Sequence, residues 1–541
     1  MPFHSSDLRS QEMKFCQFFM TAGCVFTTAQ TYDKNQYIPF LRGNKDASTG
    51  LPHSYYVPNG YYASIPDNLK PHNAVGPKKV PQCNNEVVSA AKQDLYEFQT
   101  EQYLASLGIN IYDAAVRGVA LTLAGYYGEA ESYYKGTLLA HKTLQFNDIK
   151  GDAPCKGVVT TGQCSDPHSA GACGMCYGDG PTNADRSLSV NNAYFFRMVG
   201  DYWSLQGTLD ARCPELNKPW TWNDYRPVLG ENAWANLLGV LQSEYLNSNQ
   251  DPSQVKDSST AMQLAIAILP ALQAMQIDGL GAIYYAPRNT FDVHNPDIGS
   301  TFSTENQGST LAGLKALQFI LTNSTTTQHK DKLPVVAKLI AGIEQYFQKA
   351  YLPARGYFSQ GGSWNAKTKT PTWAKEPYFA TDCQTWITAV LGADKIDSWF
   401  GSEAALSIWN TTKRIAGVNF DNSTGLVDGV GYTDNTADQI LSGEWTLGAV
   451  NMVKNLASYY PSHSASLLAE AAHMRAQVES QLKMASPYGP SLQYANKRYF
   501  IPFGWWANPI PATASAAWAV LEDYNYNVFK LGGEYNAVYS L

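Results

Sequence analysis

At 541 residues the chain can bury a large core or divide into two or three domains, and its composition narrows the class of ligand. Only 16% of residues are charged against 13% aromatic, with 34 Tyr and 13 Trp, which suits a neutral hydroxylated ligand better than a phosphate-rich one. A formal net charge of -7 offers nucleic acid no basic footprint, and no apolar run reaches the roughly 18–20 residues that span a bilayer.

Residues 13–29 read as an export signal. Lys14 supplies the positive end, Phe15 to Phe26 an apolar centre, and Thr27-Thr28-Ala29 a small-residue cleavage site before Gln30. Residues 1–12 would then be an upstream extension or a misassigned start. A short buried helix is the alternative, and Thr21-Ala22-Gly23-Cys24 resembles an acylation box without its usual leading Leu. The expected location is secreted or periplasmic. In such a compartment Cys155, Cys164, Cys173 and Cys176, crowded into a Gly-rich segment, would staple a loop by disulfides. A single Cys-x-x-Cys lacks the second close pair of a zinc site. Cys83, Cys213 and Cys383 leave an odd count, and Cys383 is expected to stay a thiol without a nucleophilic role. Sequons at Asn323, Asn410 and Asn422 do not settle the origin.

Residues 30–85 are rich in Tyr, Pro, Asn and Gly with no sustained period, which predicts an extended N-terminal arm lying on a larger body. From residue 86 to 541 the pattern is helical, with a Cys- and Gly-rich insertion at about 151–190. About twelve helical segments follow one another. Some loops between them are short, and others are long and rich in Gly, Trp, Asp and Tyr.

Asp292 to Leu321 sets a polar, acid-bearing loop against the start of a helix in which Leu311, Leu314, Leu317 and Leu321 form one apolar stripe. Thr304 and Gln307 have capping-box spacing, which puts Glu305 on the first helical residue. One acid there is explained by the helix dipole, worth about 0.3–1 kcal/mol. The layout recurs, however, at Glu231 with Trp234, Asp382 with Trp386 and Glu444 with Trp445. An acid beside an indole is what a sugar site uses, the carboxylate for proton transfer and the ring for stacking. Helix N-termini lower carboxylate pKa values, so these acids suit a base more readily than an acid unless burial intervenes.

Near the C-terminus, Ala495 to Pro511 brings Arg498, Trp505, Trp506 and Asn508 together, either as a stacking wall or as a Pro-fixed closure of the last helix onto the first. Arg288 and His294 are further candidates for substrate contact, although a lone His in a polar loop is more often neither ligand nor contact. The Asp421 to Gly425 loop fails the calcium pattern, with Leu426 where Gly is needed, so no metal and no cofactor are expected.

Alternating inner and outer helices, acid-first inner starts and Trp-rich rim loops resemble the six-hairpin (α/α)6 toroids of glycoside hydrolases and some polysaccharide lyases. The resemblance runs from about Asn85 to the C-terminus and identifies no specific family. It implies an all-α toroid with long loops on one rim. It also implies one carboxylic acid that protonates a glycosidic oxygen and a second carboxylate that activates water or acts as nucleophile, with Glu231, Glu305, Asp382 and Glu444 as the positions that fit. Trp234, Arg288, His294, Trp386, Trp445, Arg498, Trp505 and Trp506 are the substrate-binding candidates. A helical solenoid is the competing architecture, but no fixed repeat length is present. The expected function is hydrolysis of an oligo- or polysaccharide of neutral sugars by a monomer. A lyase on the same fold and a non-catalytic glycan-binding protein are the alternatives.

Overall fold

The computed structural model describes residues 32–45, 52–72, 78–80, 86–143, 198–199, 228–286, 298–375, 379–420, 423–434 and 437–535. The signal at 13–29, the insertion at 151–190, Arg288, His294 and every Cys except Cys383 lie outside them.

Twelve longer helices are described. They are α1 (Ala90–Leu107), α2 (Ile111–Leu123), α3 (Tyr127–Thr143), α4, α5 (Thr260–Met275) and α6 (Thr304–Asn323), followed by α7 (Leu333–Ala350), α8 (Thr381–Leu391), α9 (Ala404–Ala416), α10 (Gly443–Tyr459), α11 (Ser464–Leu482) and α12 (Thr513–Asp523). The rod α4 joins Leu229–Ala233, Trp234–Leu238 and Gly239–Asn247, the middle piece being a wider π turn.

Neighbour packing closes a ring, because α2 packs on α4, α4 on α6, α6 on α8, α8 on α10, α10 on α12 and α12 back on α2. Outside it, α3, α5, α7, α9 and α11 lie against the inner helices that precede them. The chain is therefore an (α/α)6 toroid. Burial separates the layers. Every residue of α2 from Ile111 to Thr122 is buried, whereas α7 buries Val336, Leu339, Ile340, Ile343, Tyr346, Phe347 and Ala350 and leaves its other face to solvent. The single apolar stripe expected of α6 is corrected by this arrangement. Its leucines are buried, and so are Asn306 to Thr310, because an inner helix meets protein all round.

Strands are short and antiparallel. The largest sheet joins Thr301–Ser303, Gly361–Asn365 and Thr370–Trp373 just before α6 and α8. The described part of the N-terminal arm is partly helical rather than extended. Ile38–Gly43 forms one turn whose Ile38, Phe40 and Leu41 join the main core, along with Tyr37.

Three inner helices are tied to the chain before them by the same device, two residues after an acid. The Gln307 amide donates to Ile283 O and accepts from Ile283 N, both at 2.8 Å. Gln384 pairs in the same way with Phe358, accepting at 2.8 Å and donating at 2.9 Å. Thr446 does so with Val430, at 3.0 and 3.1 Å. Each clamp satisfies a buried backbone donor and acceptor with one side chain, and so fixes where the helix begins.

Candidate active site

The capping box expected at Thr304 and Gln307 is shifted by one residue. Ser303 is the cap and accepts from Asn306 N, whereas Thr304 turns away to donate to Ser359 O at 2.5 Å. Glu305 thereby points from the first turn into a cavity of about 230 Å³. Glu231, Asp382 and Glu444, from the starts of α4, α8 and α10, line the same cavity. A fifth acid, Asp113, reaches it from the first turn of α2. Sequence reasoning missed it, although Asn110-Ile111-Tyr112-Asp113 repeats the pattern of cap, aromatic and acid before an apolar helix. The Asn110 side chain does accept from Tyr112 N at 2.9 Å. Glu101 also lines the cavity, from the middle of α1 and without any cap or aromatic signal in its sequence neighbourhood.

Glu305 is held from two sides. The Ser309 hydroxyl donates to it at 2.6 Å, and the Asn306 amide donates to its other oxygen. Asn306 in turn accepts from Gly230 N at 2.8 Å, which joins the starts of α4 and α6. Only glycine fits there, since a Cβ on residue 230 would stand 2.8 Å from the Asn306 amide and 3.1 Å from the Glu305 carboxylate.

Burial, followed by the charge of Asp382, pushes the Glu305 carboxyl up to about 8. Burial pushes Asp382 up to about 7, against hydrogen bonds from the backbone and side chain of Cys383. Both carboxyls keep an opening to the cavity while lying deep among protein atoms. Glu444 is held well above the usual carboxylate range by burial first and then by Asp113, Asp382 and Glu305. The dipole argument from sequence expects the opposite direction. Burial wins because a dipole worth about 1 kcal/mol moves a pKa by less than one unit, whereas desolvation moves it by several.

Tyr112 donates to Glu444 and accepts from the Trp518 indole at 2.6 Å. Cys383 is the only free cysteine among the described residues, and it is buried. Burial and then the charges of Asp382 and Glu305 push its thiol well up, so it carries no thiolate. In the folded protein Cys383 should resist iodoacetamide at pH 8, read by mass spectrometry. Labelling within minutes would contradict its burial.

The tryptophans divide into two groups. Trp234, Trp386 and Trp445 line the cavity but are 1%, 4% and 4% exposed, so they build its floor rather than offer a free ring face. Trp234 packs edge-on to Tyr112 at 5.0 Å, Trp386 stacks on Trp518 at 5.7 Å, and Trp445 stacks on Phe503 at 6.4 Å. Trp505 and Trp506, on a hairpin strand, both line the cavity and are only partly buried. Tyr55 of the arm and Tyr494 meet edge to face at 5.6 Å and complete the wall.

Arg498 stands behind this wall rather than in it. Its guanidinium grips both oxygens of Glu101 at 2.5 and 2.7 Å, donates to Leu69 O at 2.7 Å and stacks 4.1 Å from the Trp506 ring. Asn508 accepts from Arg498, donates to Glu101 at 2.8 Å and accepts from Tyr61. The segment thus both walls the cavity and ties the arm to the last hairpin. Among the described residues no cluster of three His, Cys, Asp or Glu could hold a metal ion, and no helix is long and apolar enough to cross a membrane.

The molecule belongs by its ring to the (α/α)6 toroids. No family model matches the chain, and no curated protein matches it. Among solved structures it is similar to cellobiose 2-epimerase from Spirochaeta thermophila, at 11% identity and a TM-score of 0.44, over 97% of this chain and 98% of that one. It is also similar to unsaturated glucuronyl hydrolase from Bacillus sp. GL1, at 10% identity and a TM-score of 0.41, over 72% of this chain and 100% of that one. A third is the GH76A α-1,6-mannanase from Salegentibacter sp. HEL1_6, at 11% identity and a TM-score of 0.34, over 55% and 75%. The functional reading rests on the cavity's own geometry.

Proposed function

We propose that the protein is an exported glycoside hydrolase that cleaves an oligo- or polysaccharide of neutral sugars with a pair of carboxylates. The observation that supports this most is convergence. Five inner helices each deliver one acid to a single aromatic-walled cavity, and dipole compensation alone does not require them to meet. Asp382 is the base. It ionises first, and its charge raises both Glu305 and Glu444, which therefore keep their protons at neutral pH. Glu305, poised near 8, is the acid that protonates the leaving glycosidic oxygen while Asp382 takes a proton from the attacking water. Glu444, still protonated, donates a hydrogen bond to a sugar hydroxyl.

Neutral sugars fit because six carboxylates and no Lys, Arg or His stand among the described lining residues, which leaves a uronate nothing to pair with. The same lack disfavours a lyase, whose reaction needs a cation against the uronate. Release of reducing ends from a panel of neutral oligosaccharides tests the reading, with Glu231, Glu305, Asp382 and Glu444 changed singly to the amide. At least two of the variants should lose hydrolysis while folded, and four active variants on a confirmed substrate would sink it.

The wall makes its own prediction. Trp505→Ala should raise KM about 5–10-fold, the loss of a stacking contact worth about 1–1.5 kcal/mol, and leave the protein folded. Trp234→Ala, in the floor, should instead destabilise by about 3–5 kcal/mol. Thermal melts beside the kinetics separate the two.

A further inference from the structure

Of the six carboxylates that line the acid cavity, five stand on the first turns of inner helices and one does not. Glu101 comes from the middle of α1 and lines the cavity together with Trp506 and Asn508. Its Oε1 accepts from Arg498 Nη1 at 2.5 Å, from Asn508 Nδ2 at 2.8 Å and from the Tyr62 hydroxyl at 3.1 Å. Among the described residues its Oε2 accepts only from Arg498 Nη2, at 2.7 Å. A carboxylate oxygen carries two lone pairs, so Oε2 keeps one acceptor site. The side chain is not closed over either, since it is 14% exposed where that of Arg498 is 4% exposed.

Part of this arrangement is a structural tie, because Arg498 and Asn508 also hold Leu69 O and the Tyr61 hydroxyl of the arm. The tie explains why the guanidinium is buried and bonded. It does not explain why the carboxylate that answers it stands on the cavity wall with an acceptor site to spare. The Arg498 guanidinium also lies 4.1 Å from the centre of the Trp506 ring. One planar group therefore fixes a carboxylate and an indole relative to each other, and both line the cavity.

We propose that Glu101 is a specificity-determining substrate contact, whose Oε2 accepts from one hydroxyl of a sugar that lies on Trp506. The inference rests on the sugar reading of the cavity but not on which carboxylates perform the cleavage. Paired with a guanidinium, Glu101 accepts hydrogen bonds and has none to give. It therefore demands a hydroxyl with its proton free, and disfavours a sugar that is deoxygenated or substituted at that position. A hydrogen bond to a charged group is worth more than one between neutral groups, so a single hydroxyl is enough to discriminate between sugars.

Monodeoxy and monodeoxyfluoro analogues of gluco-, galacto- and manno-configured disaccharides test the contact on the full chain. KM is read for a sugar that is cleaved, and Kd by calorimetry for one that is bound uncleaved. At one position either replacement should cost the parent about ten- to hundredfold in KM or Kd, with kcat changed by less than about threefold. Fluorine cannot donate, so it should fail as hydrogen does. In Glu101→Ala the intact sugar and the same analogues should come within about twofold of one another, because the hydroxyl has lost its acceptor. Should that variant fail to fold, Glu101→Met combined with Arg498→Met, an apolar replacement of the whole ion pair, supplies the same comparison. Binding without cleavage removes the hydrolase reading alone, and the same ratios in Kd then carry this one. The proposal is overturned if no disaccharide binds, or if no position shows the loss in the parent. It is equally overturned if Glu101→Ala weakens intact and deoxygenated sugars by the same factor, the mark of a structural tie only.

Discussion

Asp382→Asn and Glu305→Gln are expected to give proteins that are more stable than the parent at pH 8 and nearly inactive. Both carboxyls titrate higher in the folded chain than in the unfolded one, Glu305 at about 8 against 4.5 and Asp382 at about 7 against 3.8. For a raised carboxyl the folded state binds more protons, so the parent loses stability as pH climbs from about 4 towards 8. An amide never ionises and does not suffer this loss. At about 1.4 kcal/mol per unit, moderated by the cavity's opening to water, each variant should gain roughly 2–4 kcal/mol at pH 8 and almost nothing at pH 4. Turnover should fall by roughly 10²–10⁴-fold with either change, the usual worth of general acid–base assistance. Denaturation at the two pH values, set beside kcat, decides the matter. A variant less stable at pH 8, or one that keeps its activity, contradicts the assignment. The parent's kcat/KM should follow a bell with limbs near 7 and 8, which belong to the interacting pair rather than to either residue alone.

Gln384→Leu should be costly in both respects. It leaves the Phe358 N–H and C=O, now paired at 2.8 and 2.9 Å, without partners in a buried setting. Each orphaned group costs about 1–3 kcal/mol, so a loss of roughly 2–5 kcal/mol is expected. Asp382 lies two residues away on the same first turn, and its placement depends on where that turn is anchored. A shift of about 1 Å can cost two orders of magnitude in rate, so kcat should fall even in the surviving folded fraction. Gln384→Glu keeps the acceptor for Phe358 N and loses the donor to its carbonyl, and should be intermediate. Melting temperature and kcat of the two variants test the clamp, and a Leu variant as stable and active as the parent would remove it.

The ring was legible because its signals are local. Helix starts show as cap-and-acid patterns, and leucines at three- and four-residue steps show where a helix runs. What separates inner from outer helices is subtler. The inner α6 carries buried Thr310, Ser309 and Gln307, polar residues that a stripe count assigns to solvent but that bond back to the helix or to neighbouring backbone. The four acids could be singled out because each opens a helix beside other site-like residues. Asp113 has the same signature of cap and acid, with Tyr112 in place of the Trp that accompanies three of the four. Glu101 could not be found in this way, since its place in the cavity depends on Arg498, 397 positions later. The direction of the carboxyl shifts was equally out of reach. It depends on how many protein atoms surround each group, which no spacing encodes.

Closure of α12 on α2 has a consequence for how the chain is made. The last inner helix neighbours the first, and the contacts that seal this seam join distant positions, such as Thr513 N to Ser54 O at 2.8 Å and Tyr56 N to Pro511 O at 3.0 Å. Consecutive hairpins can form as the polypeptide leaves the ribosome, but the seam waits for α12, so the slow step comes after the other five inner helices have been made. Until then the growing product is an open crescent with two unsatisfied apolar edges, the state most exposed to aggregation. A chain cut before α12 would keep every one of the five convergent acids and still lack the Trp518 that fixes Tyr112 against Glu444.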